Sequence, residues 1–180
     1  MVLGGDDLKL KTWDLRQGFA EPAHVNRSFK AGVTTIQSNP FVEHLIAVGR
    51  QVYTAWINIP SIINFLSYDN EIRLFDSRKP LTPIEIADIG GGAWRVKWHP
   101  SAARKQDVLV ACMHDGFKVV RFGIHNDGDV LGKSQILKEN KSHDSLAYGA
   151  DWSYAPPLPN GETLVGSCSF YDHKLSIWSA

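Results

Sequence analysis

The sequence is poor in cysteine and methionine, with two of each in 180 residues, and it has no excess charge: 19 Lys and Arg balance 19 Asp and Glu. That balance excludes the basic face with which proteins follow nucleic acid or an anionic membrane. Two cysteines do not make a disulfide framework, and Cys112 and Cys168 both lie in apolar runs, "VLVACM" and "LVGSCSF". They read as small buried hydrophobes in a reducing compartment, which makes a cytoplasmic or nuclear address the expectation. Long apolar runs are missing too, because Asn58, Pro60 and Asn64 break the longest, and "MVLGGDDLKL" has neither the basic start nor the apolar core of a signal peptide. No spanning segment is expected. Hydrolase and metal signatures are also absent: there is no G-x-S-x-G, H-E-x-x-H or paired C-x-x-C, and "GSCSF" lacks the final glycine and falls in a strand pattern. Neither a metal nor a cofactor is expected.

What the chain does have is an internal repeat, which takes precedence over local assignments. "GGDDLKLKTWDLR" matches "SYDNEIRLFDSR", with Asp7 on Asp69, Leu10 on Ile72, Trp13 on Phe75, Asp14 on Asp76 and Arg16 on Arg78. The template returns as "MHDGFKVVRF" and "SFYDHKLSIW". Each copy is an acidic turn followed by alternating apolar and polar residues, the pattern of a half-buried strand. A short apolar run precedes each turn ("MVLGG", "LIAVG", "VLVACM", "TLVGSC"), and a further strand-like run precedes that ("VTTIQSNP", "AWRVKWHP", "YGADWSYAPPLPN"). With a final outer strand, each unit is a four-stranded antiparallel blade. Asp69 and Asp115 are 46 residues apart and Asp115 and Asp172 are 57 apart, against roughly 40–45 for a WD40 blade. The expected fold is therefore all-β: a partial WD40 β-propeller of about three and a half four-stranded blades. "TWD", "LFD" and "SIW" are its degenerate signature.

The spacing from Asp7 to Asp69 is 62 residues, and leaving out the 17 residues from Arg50 to Leu66 reduces it to 45. The segment 50–66 is apolar ("VYTAWINIPSIINFL") where a surface loop is normally polar. It is expected to be either an unspliced, in-frame intron or a genuine inserted loop. Met1 falls in the second strand of a blade, so residues 1–180 read as the C-terminal part of a propeller whose missing N-terminal blades are needed to close it.

In such a blade the turn between the second and third strands shares a face with the loop that enters the next blade. That scheme gathers "MHDG", "FYDHK", "IGGGAW" and "SHDSLAYGADW" at one channel mouth, with His114, His143, Asp144, Asp172 and His173. The acidic residues Asp69, Asp115 and Asp172 each have a structural role open to them, fixing a tight turn, and His143 one as a blade-capping histidine. His24, His44 and His125 read as surface residues, and His99 as a turn residue at the opposite face. In "GGGAWRVKWHP", Gly90, Gly91 and Gly92 permit close backbone approach. Arg95 and Lys97 lie on an enclosed inner strand and call for anionic partners, which are an internal salt bridge or a ligand carboxylate or phosphate.

In order along the chain, "GGGAWRVKWHP", "VLVACMHDGFKV", "DSLAYGADWS" and "SCSFYDHKLSIW" closely resemble the C-terminal half of the diphthine methyl ester hydrolase family of WD-repeat proteins. The resemblance implies an enzyme of diphthamide biosynthesis. Such an enzyme removes a methyl ester from the over-methylated diphthine on a histidine of translation elongation factor 2, leaving a carboxylate and methanol. Ester hydrolysis needs a base and oxyanion donors. Under that implication His114 and His173 are the candidate bases, with Asp172 or Asp144 orienting them and the backbone of Gly90 to Gly92 as candidate donors. Trp94 and Arg95 are candidates to hold the substrate, the indole by cation–π attraction to the quaternary ammonium of diphthine. The competing readings are a non-catalytic WD40 interaction scaffold and an inactive truncated gene product.

Overall fold

The computed structural model describes residues 1–51, 70–124 and 132–180; Asp69, His125 and most of the segment 50–66 lie outside them. Among the described residues fourteen strands form four antiparallel sheets, each a simple meander. The first holds β1 (Val2–Gly4), β2 (Leu10–Thr12) and β3 (His24–Asn26). The second holds β4 (Gly32–Ser38), β5 (Leu45–Gln51), β6 (Glu71–Asp76) and β7 (Glu85–Asp88). The third holds β8 (Arg95–Trp98), β9 (Asp107–Ala111), β10 (Phe117–Arg121) and β11 (Gln135–Asn140). The last holds β12 (Ala147–Trp152), β13 (Leu164–Ser169) and β14 (Leu175–Ser179). Sheets of three, four, four and three strands are three and a half WD-repeat blades, as the spacing of the acidic turns required. No helix among the described residues is long and apolar enough to cross a membrane.

The sequence pattern follows from where each strand sits. Every residue of β5 and β9 is buried, because a second strand has a sheet neighbour on each side and a blade against each face. Their apolar runs are therefore continuous, whereas β8 and β13, with one face less covered, alternate. Three apolar layers join the blades. Leu10, Val33, Ile46, Val48 and Phe75 fill the first. Leu45, Leu74, Trp98, Val110 and Phe122 belong to the second, and Leu109, Phe117, Val119, Trp152 and Val165 to the third.

Repeated polar ties fix the stacking. Trp98 Nε1 donates to the Gln37 carbonyl at 3.1 Å, and Trp152, one blade later, makes the equivalent bond to the Lys97 carbonyl at 3.0 Å. The aligned pairs Asp14 with Arg16 and Asp76 with Arg78 form the same turn: the carboxylate accepts the Arg backbone N–H (3.1 and 2.8 Å) and its guanidinium.

The first two residues of the segment 50–66 are described. Arg50 and Gln51 belong to β5, with Arg50 in register with Val33 and Gln51 with Gly32. The Arg50 side chain is buried and pairs with Glu71 at 2.6 Å, so the strand continues two residues past Gly49. Residues 52–66, the rest of that segment, lie outside the described residues.

Candidate functional site

Four chain reversals meet on one rim: the β7–β8 loop, the β9–β10 turn, the β11–β12 loop and the β13–β14 turn. They touch directly. The Met113 carbonyl accepts the Ala147 N–H at 2.9 Å, and Asp172 Oδ2 accepts the Asp144 N–H at 2.9 Å. A side-chain methyl at Gly91 would lie 2.0 Å from the Cys112 carbonyl oxygen.

The network around His143 supports its blade-capping role. Its Nδ1 lies 2.5 Å from Ser169 Oγ and its Nε2 3.0 Å from Ser167 Oγ, which also accepts Trp178 Nε1 at 3.1 Å. Ser169 Oγ donates in turn to Asp172 Oδ1. Burial lowers the His143 pKa, although the Asp172 charge opposes that shift. The Ser169 hydroxyl, with the N–H groups of Asp144 and Lys174, holds the Asp172 carboxyl below its ordinary value. Among the described residues, no hydrogen bond joins Asp172 or Asp144 to His173 or His114. Asp144 is exposed and lies 4.0 Å from Lys174 Nζ.

His114 and His173 are both exposed, one in each turn. His173 has a positive φ of 52°, shared with Leu8 (59°) and Gly116 (73°) at the same place in their turns, directly after an acidic residue. The left-handed backbone is thus a property of the turn. Asp115 is taken up by Lys118 and Lys141, both at 2.5 Å.

The glycine-rich loop is packed against protein. Gly90 (φ 74°) donates its N–H to Asp88 Oδ1 at 2.9 Å, and a methyl there would meet Asp115 Oδ2 at 2.3 Å. That N–H is therefore already engaged, and these glycines let the loop approach the Cys112–Asp115 turn. The two inner-strand cations separate: Lys97 pairs with Asp151 at 2.8 Å, whereas Arg95 is exposed and has no ion pair among the described residues. His99 is not a plain turn residue. It is 2 % exposed, its Nδ1 accepts the Ser101 N–H and its Nε2 lies 2.9 Å from Thr163 Oγ1.

Trp94 stands at a cavity of about 470 Å³ lined by Trp94, Tyr148, Cys168, Ser169 and Phe170. Its ring meets Tyr148 edge-on with centroids 5.0 Å apart. Tyr148 lies 6.3 Å from Tyr171, which in turn lies 5.4 Å from Phe170, and the His173 ring is 6.5 Å from Phe170. Cys168, expected to be buried, is exposed here; Cys112 is buried, which pushes its thiol pKa up. Tyr148, Phe170 and Tyr171 were not singled out by sequence reasoning. The repeat carried a signal for one of them, since "GAW" and "LAY" align Tyr148 with Trp94. No group of three or more His, Cys, Asp or Glu among the described residues is arranged to hold a metal ion.

No protein-family model matches the chain. Curated relatives do. The diphthine methyltransferase homolog of Dictyostelium discoideum is 36% identical over 97% of this chain and 45% of its own length. Diphthine methyltransferase of Mus musculus is 35% identical over 84% of this chain and 27% of its own. That of Saccharomyces cerevisiae is 32% identical over 97% and 43%. Among solved structures, a chain of the crystal structure of the mitotic checkpoint complex superimposes with a TM-score of 0.69 at 14% identity. It covers 99% of this chain and 45% of the other, and at that identity it bears on the fold alone. The chain is therefore a WD-repeat homologue of the diphthine methyltransferase family, matched along most of its own length and spanning less than half of the length of these relatives.

Proposed function

We propose that this chain serves hydrolysis of the diphthine methyl ester on translation elongation factor 2, a cytoplasmic step of diphthamide biosynthesis. The observation that carries the reading is the rim itself. Two exposed imidazoles, His114 and His173, share it with an aromatic-walled cavity in a chain homologous to diphthine-modifying proteins. An exposed, protein-borne side chain can enter such a cavity while the rest of its protein stays outside.

In this mechanism an imidazole takes a proton from water as the water oxygen attacks the ester carbonyl. The tetrahedral oxyanion then collapses and expels methoxide, which takes the proton back and leaves as methanol. His173 is the first candidate for the base because its ring lies 6.5 Å from that of Phe170, which lines the cavity, and His114 is the second. Arg95, exposed beside Trp94, is suited to the carboxylate product and to charge on the oxyanion. Backbone N–H groups of Gly91 and Gly92 are the remaining oxyanion candidates.

The relatives' names favour a second reading, methyl transfer. The two are separated by incubating the chain with elongation factor 2 bearing the methylated diphthine. Hydrolysis releases methanol and lowers the mass of the modified peptide by one CH₂ without a methyl donor. A gain of methyl that depends on a donor favours transfer, and binding of the factor with neither change reduces the chain to a scaffold.

A further inference from the structure

The rings at the rim come from separate blades, and the backbone aims them at one place. Trp94 precedes β8, and its N–H bonds to the Ala111 carbonyl at 2.9 Å. Tyr148 is the extra residue of a β-bulge in β12, where the register with β13 shifts between Ala147 and Gly149. Bulges of this kind re-aim a side chain and are common beside functional sites. The equivalent position one blade earlier than Trp94 is Thr34, also at a register shift, and its hydroxyl is spent on the Ala93 carbonyl. Among the described residues, this position is a hydrogen-bonded threonine in the second sheet and a large aromatic in the third and fourth, where the cavity lies. Phe170 and Tyr171, in the β13–β14 turn, are 68% and 66% exposed. The core does not explain two bare rings on adjacent residues of a tight turn.

We propose that Trp94, Tyr148 and Phe170, with Tyr171 supporting the last two from beside them, form an aromatic box for a quaternary ammonium group, the cationic end of a trimethylated side chain. This rests on the diphthine reading above and extends it by naming which part of the substrate enters the cavity. Ring faces carry negative quadrupole density, and a methylated ammonium is a cation that sheds its weak hydration easily, so it gains more from such a box than an ammonium with N–H groups does. The rim supports the sign of the charge. The Asp172 carboxylate directly follows Tyr171, and Asp144 lies across the rim with its N–H bonded to Asp172.

The test is a titration of the full chain with tetramethylammonium and, separately, with neopentyl alcohol, a neutral probe of similar shape, followed by NMR of the tryptophan indole N–H signals. The cation is expected to move the Trp94 signal saturably and to bind about tenfold more tightly than the alcohol. Phe170→Ala and Tyr171→Ala remove largely exposed rings, so the fold is expected to persist while each weakens the cation several-fold and leaves the alcohol unchanged. Phe170→Tyr is expected to keep binding. Equal affinity for both probes, or cation binding that is indifferent to both alanine variants, overturns the box. The outcomes separate the two claims. Selective cation binding without ester cleavage leaves the box standing and removes the hydrolase, whereas cleavage without cation selectivity does the reverse.

Discussion

His143 and Ser169 share a 2.5 Å hydrogen bond that connects the loop entering the last blade to the turn near its end. Through Ser169 the bond reaches Asp172, and through Ser167 the other ring nitrogen reaches Trp178. His143→Ala leaves both hydroxyls short of a partner in a region closed to water, since Ser167 is 1% exposed. The expected loss is about 1–3 kcal/mol, read as a lower urea midpoint with the slope unchanged. A midpoint within error of the parent would mean that the network is decorative.

His99 provides a pH dependence. Burial, and then the nearby Arg104 charge, lower its pKa from 6.5 to about 4. The folded pKa lies below the unfolded one, so the unfolded chain takes up the proton first as the pH falls. Stability from this group is complete above about pH 6.5 and is lost as the pH drops towards 4, a change on the order of 3 kcal/mol. His99→Gln is expected to be less stable at pH 7 and to show a shallower decline over that window. Parallel profiles for parent and variant would exclude His99 as the source.

Asp107 opens β9 with its side chain 0% exposed, between Arg104 at 2.7 Å and Arg121 at 2.6 Å. Arg104 also stacks over Trp152 and donates to the Ala180 carbonyl at 2.7 Å, so the carboxylate anchors a junction between two blades. Asp107→Asn removes the charge but keeps the shape, leaving the two guanidinium groups without their counter-ion. Both guanidinium groups keep access to water, Arg121 at 44% and Arg104 at 19% exposure, so the expected cost is about 1–3 kcal/mol, measured by chemical denaturation. A double variant with Arg121→Met should recover part of it, because one of the stranded charges is then gone.

The repeat made the blades legible, because acidic turns at near-constant spacing are set by chain geometry and little else. The aligned pairs Asp14 with Arg16 and Asp76 with Arg78 fold alike, and the contact between the turns and loops that carry His114, His143 and His173 followed from blade topology. Side-chain partnerships did not follow, because they are made between blades. Nothing local to "WHP" says that Thr163, just before β13, reaches His99. Likewise the Lys97–Asp151 pair spans two blades, so Lys97 and Arg95 looked equivalent in sequence although only one is paired. The three glycines illustrate the same limit. A run that permits close approach does not say whether a ligand or the next turn is approached.

Gly91 separates those alternatives. A methyl group there would sit 2.0 Å from the Cys112 carbonyl carbon's oxygen and 3.2 Å from Asp115 Cβ, so Gly91→Ala must push the β7–β8 loop away from the β9–β10 turn. Overpacking of this kind typically costs about 1–3 kcal/mol, and backbone is the obstacle, so the upper end is expected. Gly166→Ala is the control, since a methyl there meets nothing within 4 Å. If Gly91→Ala matched the control in stability but lost ester cleavage, the loop would belong to the substrate and not to packing.

His173 allows the most direct test of whether chemistry or folding chose a residue. It holds φ at 52° in a turn position that Gly116 fills elsewhere at 73°. A side chain in left-handed backbone costs about 1–2 kcal/mol, so His173→Gly is expected to raise stability by about 0.5–1 kcal/mol after the greater freedom of glycine in the unfolded chain is deducted. Leu8 holds the same turn position at 59°, so the strain alone does not mark a working site and activity has to be read beside stability. His173→Gly is therefore expected to be more stable and unable to cleave the ester, whereas His173→Ala keeps the strain and also loses cleavage. A glycine variant that is more stable and still cleaves would remove His173 from the chemistry and leave His114 as the candidate base.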